Sequence, residues 1–411
     1  METIAYLSYD GLTDPLGQSQ VLPYVKGLAQ KGYAITIFSF EKKERFKANK
    51  NIIENICREA GIEWLPFLYT KNPPVLSTLW DVSRLRKRVR KEHRKKHFSL
   101  IHCRSYLSAL VGLHMKTKHA VPFIFDMRGF WADERVDGKL WNLKNPLFNS
   151  IYKYFKRKEK AFLTTADYTI SLTENAKEEI LSWKLSSRPL PIQVIPCCVD
   201  LDLFDPAKIQ PEAVSELKSK NNIPPNATVI SYIGSTGTWY MLDEMFEFFK
   251  KWLDKKPESI FFFITNDDRE ALERNAAKFQ IPAASIRVQP AARKEVPLYI
   301  SISDLSLFFI KPVFSKKASS PTKQGEIMAM GKPAICNNGV GDTGWVVNKY
   351  HSGVLIDDFT DQQYECAYQA AQQTNFDPSL IRNGAKEFFS LQEGIRRYVE
   401  VYNKVLHGSK A

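Results

Sequence analysis

The chain has little of what marks a secreted, membrane-spanning or metal-centred protein. Its six cysteines (Cys57, Cys103, Cys197, Cys198, Cys336 and Cys366) include no CxxC pair, and no His or Cys set has the spacing of zinc ligands. No apolar run approaches the roughly 20 residues that cross a bilayer. The opening METIAYLSYDG lacks a basic stretch followed by an apolar core, so a reduced, cytosolic chain is expected. The loop after the first strand, Asp10 to Gln20, is not GxGxxG, and there is no short-period repeat. The acidic pair Asp267-Asp268 follows a strand pattern, where a helix cap is expected rather than a metal ligand. No metal site and no cofactor is expected.

What is present is an ordinary globular composition, 44% hydrophobic, 25% charged and 12% aromatic over 411 residues. That length suits two or three domains and excludes a fibrous or disordered chain. The formal charge is +13, and its excess is local. Residues 84–96 carry nine Lys or Arg against Glu92, and residues 144–160 carry six against Glu159. These two segments contribute +8 and +5, the whole excess, so a local anionic surface is implied.

Short apolar runs alternate with helical patterns from the start. Thr3 to Tyr9 and Tyr33 to Phe40 predict strands around a helix over residues 17–31, a βαβ unit. Further strands are expected near residues 62–67, 100–103, 123–126, 168–172 and 192–195. Proline- and asparagine-bearing sequence ending in NNIPPNAT then predicts a linker over residues 201–226. A second series follows, with strands near residues 229–233, 260–265, 285–288, 305–310, 333–336 and 353–356, then helical patterns over residues 361–374 and 378–406. The expected fold is α/β: a Rossmann-like domain over residues 1–200, a second over 227–385 and a C-terminal helical segment, 386–411, that packs back toward the first domain. Parallel sheets facing a central cleft are expected, with ligands at the carboxyl ends of their strands.

Three segments have nucleotide-binding chemistry. The loop from Asp10 to Gln20 carries Gly11 and Gly17, and Gly234-Ser235-Thr236-Gly237 opens a second loop; in both, small residues let backbone N–H groups approach an anion at a helix start. An ordinary glycine turn is the alternative in each case. More specific is Ser319 to Pro333, SSPTKQGEIMAMGKP. Ser320 is expected as N-cap with Pro321 at N1, leaving first-turn N–H groups and Lys323 for a phosphate. Glu326 falls four residues after Thr322 on one helix face, where a carboxylate suits a ribose diol. Gly325, costly within a helix, implies a close approach.

With these residues in view, the chain resembles the family 4 glycosyltransferases of GT-B architecture over nearly its whole length. The resemblance is carried by YLSYDGLTDPLGQSQVLPY, by Ala166 to Thr173, by Ile195 to Asp200 with Phe204, and by SSPTKQGEIMAMGKPAICNNGVGD. It implies a retaining transferase that uses a nucleotide diphosphate sugar without obligatory metal, the donor on the second domain and the acceptor on the first. It gives Asp200 and Asp202 a structural place in the linker. Glu326 matches the second glutamate of the family's E-x7-E motif, and Lys323 matches a phosphate-contacting position. Ala318 stands where the first glutamate is expected. The family's frequent first-domain histidine is also missing: Asp126 and Arg128 occupy that place, with Arg128 expected to pair with phosphate and Asp126 with a sugar or acceptor hydroxyl, or the two to form a buried pair. His102 and Arg104 end the preceding strand and are expected at the acceptor side.

The basic segments predict amphipathic helices. Leu79, Val82, Leu85 and Val89 are expected on one face of the first, and Tyr152, Tyr154 and Phe155 as interfacial aromatics on the second, so an anionic membrane surface is the expected partner, with no specific nucleic acid. The reading is a peripheral enzyme on the cytoplasmic face of the membrane, moving a sugar from a UDP- or GDP-linked donor to a lipid-linked or cell-surface glycan. Its alternatives are a non-catalytic nucleotide-sugar-binding scaffold and a GT-B-like sugar-nucleotide epimerase.

Overall fold

Nearly continuous apolar runs become strands buried on both faces. In the computed structural model, which describes residues 1–408, the chain divides into two compact units, Met1–Pro196 with Leu391–Ala411, and Cys197–Ser390. Residues 409–411 of the predicted C-terminal segment lie outside the described residues.

The first unit holds seven strands, β1 (Thr3–Ser8), β2 (Ala34–Glu41), β3 (Glu63–Leu68), β4 (Leu100–Arg104), β5 (Phe123–Asp126), β6 (Tyr168–Ser171) and β7 (Ile192–Val194). They form one parallel sheet in the order β3-β2-β1-β4-β5-β6-β7. The second unit holds β8 (Val229–Ile233), β9 (Ile260–Ile264), β10 (Ile286–Gln289), β11 (Leu305–Phe308), β12 (Ala334–Asn337) and β13 (Gly353–Ile356). Its sheet is also parallel, in the order β10-β9-β8-β11-β12-β13. Each sheet reverses its winding once, between β1 and β4 and between β8 and β11. Such a switch point leaves a crevice at the carboxyl ends of the strands, and this is where each unit can hold a ligand.

Aromatic packing closes the second unit. β9 reads IFFFI and is wholly buried, and the helix Leu242–Lys255 sets Phe246, Phe249 and Trp252 inward. The Phe249 and Phe261 rings lie 5.0 Å apart. Each such side chain contributes about 1.5–3 kcal/mol through burial.

Three elements differ from their sequence patterns. The helix expected over residues 17–31 is two, Pro15–Gln20 and Leu22–Gln30, because Pro23 has no N–H for the carbonyl one turn back. The pattern over residues 378–406 is also two helices, Pro378–Phe388 and Leu391–His407. Between them the backbone turns aside: Val199 N–H donates to the Phe389 carbonyl at 2.7 Å, and Val199 bridges to Ser390. The last helix belongs to the first unit and lies against Leu22–Gln30, so closely that a Cβ on Gly27 would sit 2.1 Å from Ile395 Cδ1. Residues 201–226 are ordered within the second unit as a turn, Pro206–Lys208, and a helix, Pro211–Lys220. Arg382 anchors them by donating to the Phe204 carbonyl (2.7 Å) and Asp205 Oδ1 (3.1 Å). Asp200 Oδ1 accepts from the N–H groups of Asp202 and Leu203, a turn rather than a cation site.

Candidate active site

In the second unit, the helix Thr322–Ala329 follows β11 and carries Lys323 and Glu326 inward. The Lys323 ammonium lies 3.9 Å from the Tyr232 ring centroid and 3.7 Å from that of Tyr240. A Cβ on Gly234, at the exit of β8, would stand 3.8 Å from Nζ. This ammonium is buried and has no hydrogen-bond partner. Burial pushes it well below the ordinary lysine range, with the Glu326 carboxylate pulling the other way. A buried cation facing only aromatic rings and a glycine is short of an anion. One turn later, buried Glu326 accepts through Oε1 from Arg293 Nη1, and the guanidinium lies over the Phe204 ring at 4.8 Å. The structure thus brings Gly234, Lys323 and Glu326 to one place, at the switch point of the second sheet.

Several expected details are corrected. The helix starts at Thr322, so Ser320 is not its N-cap; its hydroxyl accepts from Cys197 N–H at 3.1 Å. The close approach at Gly325 is to Phe389, whose ring would lie 3.0 Å from an added Cβ, so packing rather than a ligand requires this glycine. In the loop after β8, Tyr232 donates to the Ser235 carbonyl. Asp267 Oδ2 accepts from both N–H and Oγ1 of Thr236, the latter at 2.8 Å. Thr236 N–H is therefore already taken, and Asp267 fastens the loop; the helix cap is Asp268, which accepts from Glu270 N–H.

The loop after β1 is corrected in the same way. Glu41, buried at the end of β2, accepts from Leu12 N–H (2.9 Å), Thr13 N–H (3.0 Å), Thr13 Oγ1 and Ser39 Oγ. An internal carboxylate fills the place an external anion was expected to take. Gly17 lies in the helix Pro15–Gln20, where a Cβ would fall 2.0 Å from the Gly11 carbonyl oxygen, so its smallness serves the turn itself.

The first unit gathers Asp126, Arg128, His102 and Arg104 at its own switch point, ends of β4 and β5. Asp126 is fully buried. Its Oδ2 accepts from Tyr398 OH at 3.1 Å and from His102 Nε2 at 3.3 Å, while Oδ1 faces Arg128 Nη1 at 3.8 Å. His102 Nδ1 lies 2.8 Å from Tyr402 OH. In the neutral ring that burial favours, Nε2–H donates to the carboxylate and Nδ1 accepts from the tyrosine hydroxyl. Burial pushes His102 below its usual range, against the pull of Asp126. Burial alone would raise Asp126, but Arg128, His102 and Arg104 together hold it below the usual carboxylate range. Asp126 is thus an ionised carboxylate enclosed by partners, the buried pair foreseen as the alternative. Arg128 adopts φ +58°, a left-handed backbone that costs a non-glycine residue about 1 kcal/mol or more. Arg104 Nε reaches Asp10 Oδ2 at 3.3 Å, and Asp10, at the exit of β1, keeps its side chain 43% exposed.

Sequence reading missed Asp10, Arg293, Tyr398 and Tyr402, and expected of Asp267 a helix cap rather than the loop fastening it performs. For Asp10 a signal existed, since it ends the first strand beside the switch point; the others act across long separations that no local pattern records.

The basic segments form the helices Leu76–Lys96 and Pro146–Thr165. Leu85 and Val89 are buried, but Leu79 is 59% exposed, as are Leu76 and Trp80 to a similar degree. On the second helix Phe155 is buried and Tyr152 donates to Asp133 at 2.8 Å, so only Tyr154 of the three expected aromatics is outward. Among the described residues, no helix is long and apolar enough to cross a membrane.

Comparison with known proteins bears on this arrangement. A family model described as Glycosyltransferase Family 4 matches residues 18–203, and one described as Glycosyl transferases group 1 matches residues 214–373. No curated protein matches. Among solved structures, the chain is similar to sucrose-phosphate synthase from Thermosynechococcus elongatus, with TM-score 0.74 and 15% identity over 100% of each chain. It is similar to a glycosyltransferase from Rickettsia africae, with TM-score 0.71 and 16% identity over 99% of each chain. It is also similar to Anabaena HepE in complex with UDP and glucose, with TM-score 0.70 and 13% identity over 98% of this chain and 100% of that one.

Proposed function

Because the chain belongs to the family 4 glycosyltransferases and has two parallel α/β sheets of the GT-B class, we propose that it transfers a sugar, with retention, from a UDP- or GDP-linked donor to a lipid-linked or cell-surface glycan. The observation that carries the donor assignment is the Lys323 ammonium, buried without a hydrogen-bond partner beside Gly234 and one turn from Glu326. A diphosphate supplies the missing anion, and the Glu326 carboxylate, steadied by Arg293, receives the ribose hydroxyls. HepE, of the same fold, holds UDP and glucose, which fits such a donor.

The acceptor is assigned to the switch point of the first sheet, with Asp10 and Arg104 as the polar groups at its edge and Arg128 positioned by Asp126. In the proposed reaction the diphosphate leaves, the acceptor hydroxyl attacks from the same face, and a departing phosphate oxygen takes its proton. The protein's main work is then stabilising negative charge on the leaving group, for which Lys323 is placed. The basic helices of the first unit hold the enzyme to the anionic cytoplasmic face of a membrane, where lipid-linked acceptors lie.

Calorimetric titration with UDP, GDP, ADP and dTDP tests the donor assignment. One nucleotide is expected to bind selectively and to lose at least about tenfold in affinity in Glu326→Ala, the loss of a charged hydrogen-bonding group. Binding of none of the four would overturn it.

A further inference from the structure

The side chains of the proposed donor site follow the strand order of the second sheet, β10-β9-β8-β11-β12-β13. Arg293, in the segment after β10, reaches Glu326. Lys323 faces Gly234 and Tyr240, which follow β8. Glu326 and Lys323 are both carried by the helix after β11. The ribose end of a donor is thus assigned to the β10 side and its diphosphate to the exits of β8 and β11. A sugar on the far end of that diphosphate lies toward β12, one strand further on and about 5 Å away.

At the exit of β12 stands an unpaired hydroxyl. The chain runs from Gly339 to Gly344 as GVGDTG and opens the helix Thr343–Tyr350, with glycines at the spacing that lets a strand-to-helix turn approach a ligand. Thr343, the first helical residue, is 2% exposed, and its Oγ1 has no hydrogen-bond partner among the described residues. Its carbonyl accepts at 3.3 Å from Nε2 of Gln324, the neighbour of Lys323. The starts of two helices therefore lie side by side, and each holds a buried polar atom without a partner, an ammonium in one and a hydroxyl in the other.

This turn is not open to an anion through its backbone. Gly341 N–H donates to the Lys316 carbonyl at 2.8 Å, and Thr343 N–H to the Val340 carbonyl at 3.0 Å. The place of Thr343 is fixed, because a Cβ on Gly344 would fall 2.1 Å from Asn338 Oδ1, and Asn338 is held in turn by donating to Asp357. Packing does not call for the hydroxyl, since valine has nearly the same shape and would bury no polar atom.

We propose that Thr343 is a specificity residue of the donor site, its hydroxyl paired with a hydroxyl of the transferred sugar. The chemistry of the group selects that partner: an ammonium recruits a charged oxygen, whereas a threonine hydroxyl both donates and accepts, as sugar hydroxyls do. The proposal rests on the donor reading of the second unit.

The test is calorimetric titration of wild type, Thr343→Val and Thr343→Ser. The probes are the nucleoside diphosphate that wild type selects and its glucose, galactose, N-acetylglucosamine and mannose conjugates. In Thr343→Val the conjugate that wild type binds most tightly should lose about fivefold in affinity, the value of one hydrogen bond, while the diphosphate changes by about twofold or less. Thr343→Ser keeps the hydroxyl and should retain most of the affinity. Without ligand, Thr343→Val should unfold at the same temperature as wild type or higher, because an unpaired buried hydroxyl is removed. A lower unfolding temperature would give the hydroxyl a structural role and overturn the proposal. An equal loss on diphosphate and conjugates, or no loss on any conjugate, overturns Thr343 alone. Wild type that binds no nucleotide overturns the donor reading itself, and Thr343 with it.

Discussion

The Lys323 ammonium stands 3.7 Å from the centroid of the Tyr240 ring, inside the protein and without a hydrogen bond. Burial holds its proton loosely, and an anion beside it would hold that proton firmly. Binding of the preferred nucleoside diphosphate is therefore expected to take up a proton, seen as a dependence of calorimetric enthalpy on the ionisation enthalpy of the buffer. Affinity should fall as pH rises through the range in which the bound lysine is charged. In Lys323→Met both dependences should vanish and affinity should drop at least about tenfold. A buffer-independent enthalpy in wild type would refute the linkage.

The same substitution should stabilise the protein. Replacing a desolvated ammonium by an apolar side chain of similar length removes a cost, by about 1–3 kcal/mol. The sign with pH follows from the direction of the shift. The folded protein holds the Lys323 proton less tightly than the unfolded chain, so wild-type stability should rise toward pH of about 10, where the unfolded lysine also loses its proton. Lys323→Met should lack that rise. Urea unfolding at neutral and alkaline pH measures both effects.

Asp126 and Tyr398 connect β5 to the last helix, 272 residues away in sequence. The folded Asp126 carboxyl titrates below its unfolded value, so its contribution is present above pH of about 4 and is lost as pH falls through the lower, folded value. Asp126→Asn should destabilise the first unit by roughly 2–4 kcal/mol at neutral pH, because Arg128 and Arg104 lose a buried counter-charge. The difference from wild type should shrink as pH falls through the lowered folded value, where wild type also protonates. His102 has the opposite charge type and also titrates low in the folded state. Its share of stability should decline as pH falls below about 6.5, and His102→Gln should flatten that part of the profile.

The strands and the Lys323-Glu326 helix were legible because their signals are local. IFFFI can scarcely be anything but a doubly covered strand, and the i, i+3 spacing of Lys323 and Glu326 puts both on one side of a helix. Partners brought by distant segments were not legible. Glu41 and Asp267 each sit on a different strand-exit from the loop they fasten, so two loops that look open in sequence are already filled. Gly325 and Gly17 were read as making room for a ligand, yet Phe389 and the Gly11 backbone claim that room. A glycine announces a close approach without naming what approaches.

Glu41 and Asp267 should respond differently to loss of charge. Glu41 is wholly buried and accepts four hydrogen bonds, so Glu41→Ala should cost roughly 2–4 kcal/mol, the value of several charged acceptor bonds measured together. Nucleotide affinity should be nearly unchanged at temperatures where the variant is folded. Asp267 is only partly buried and grips a single residue of the loop after β8. Asp267→Ala should cost about 1 kcal/mol or less in stability while weakening the preferred diphosphate severalfold, since the loop must then be ordered on binding. Thermal unfolding and titration of the two variants side by side would show this split; equal effects on both readouts would contradict it.

The membrane assignment depends on how the helix Leu76–Lys96 begins. Leu76, Leu79 and Trp80 share its outer face over the first turn, each about 60% exposed, and Lys87, Lys91 and Arg94 continue the exposed face toward the other end. An apolar start followed by cations fits insertion beside anionic headgroups, each Lys or Arg near the surface adding about 1 kcal/mol. The protein should float with vesicles of phosphatidylcholine and phosphatidylglycerol, and less so with phosphatidylcholine alone. Leu79→Ser with Trp80→Ser should weaken binding at every salt concentration, because the lost contribution is hydrophobic. Lys87→Gln with Lys91→Gln should weaken it chiefly at low salt, because screening removes the charge term from both proteins at high salt. Nucleotide titration should be unaffected in both double variants. If the wild type ignores anionic vesicles and instead dimerises, with Trp80→Ser restoring the monomer, this face is a contact between copies and the membrane assignment fails.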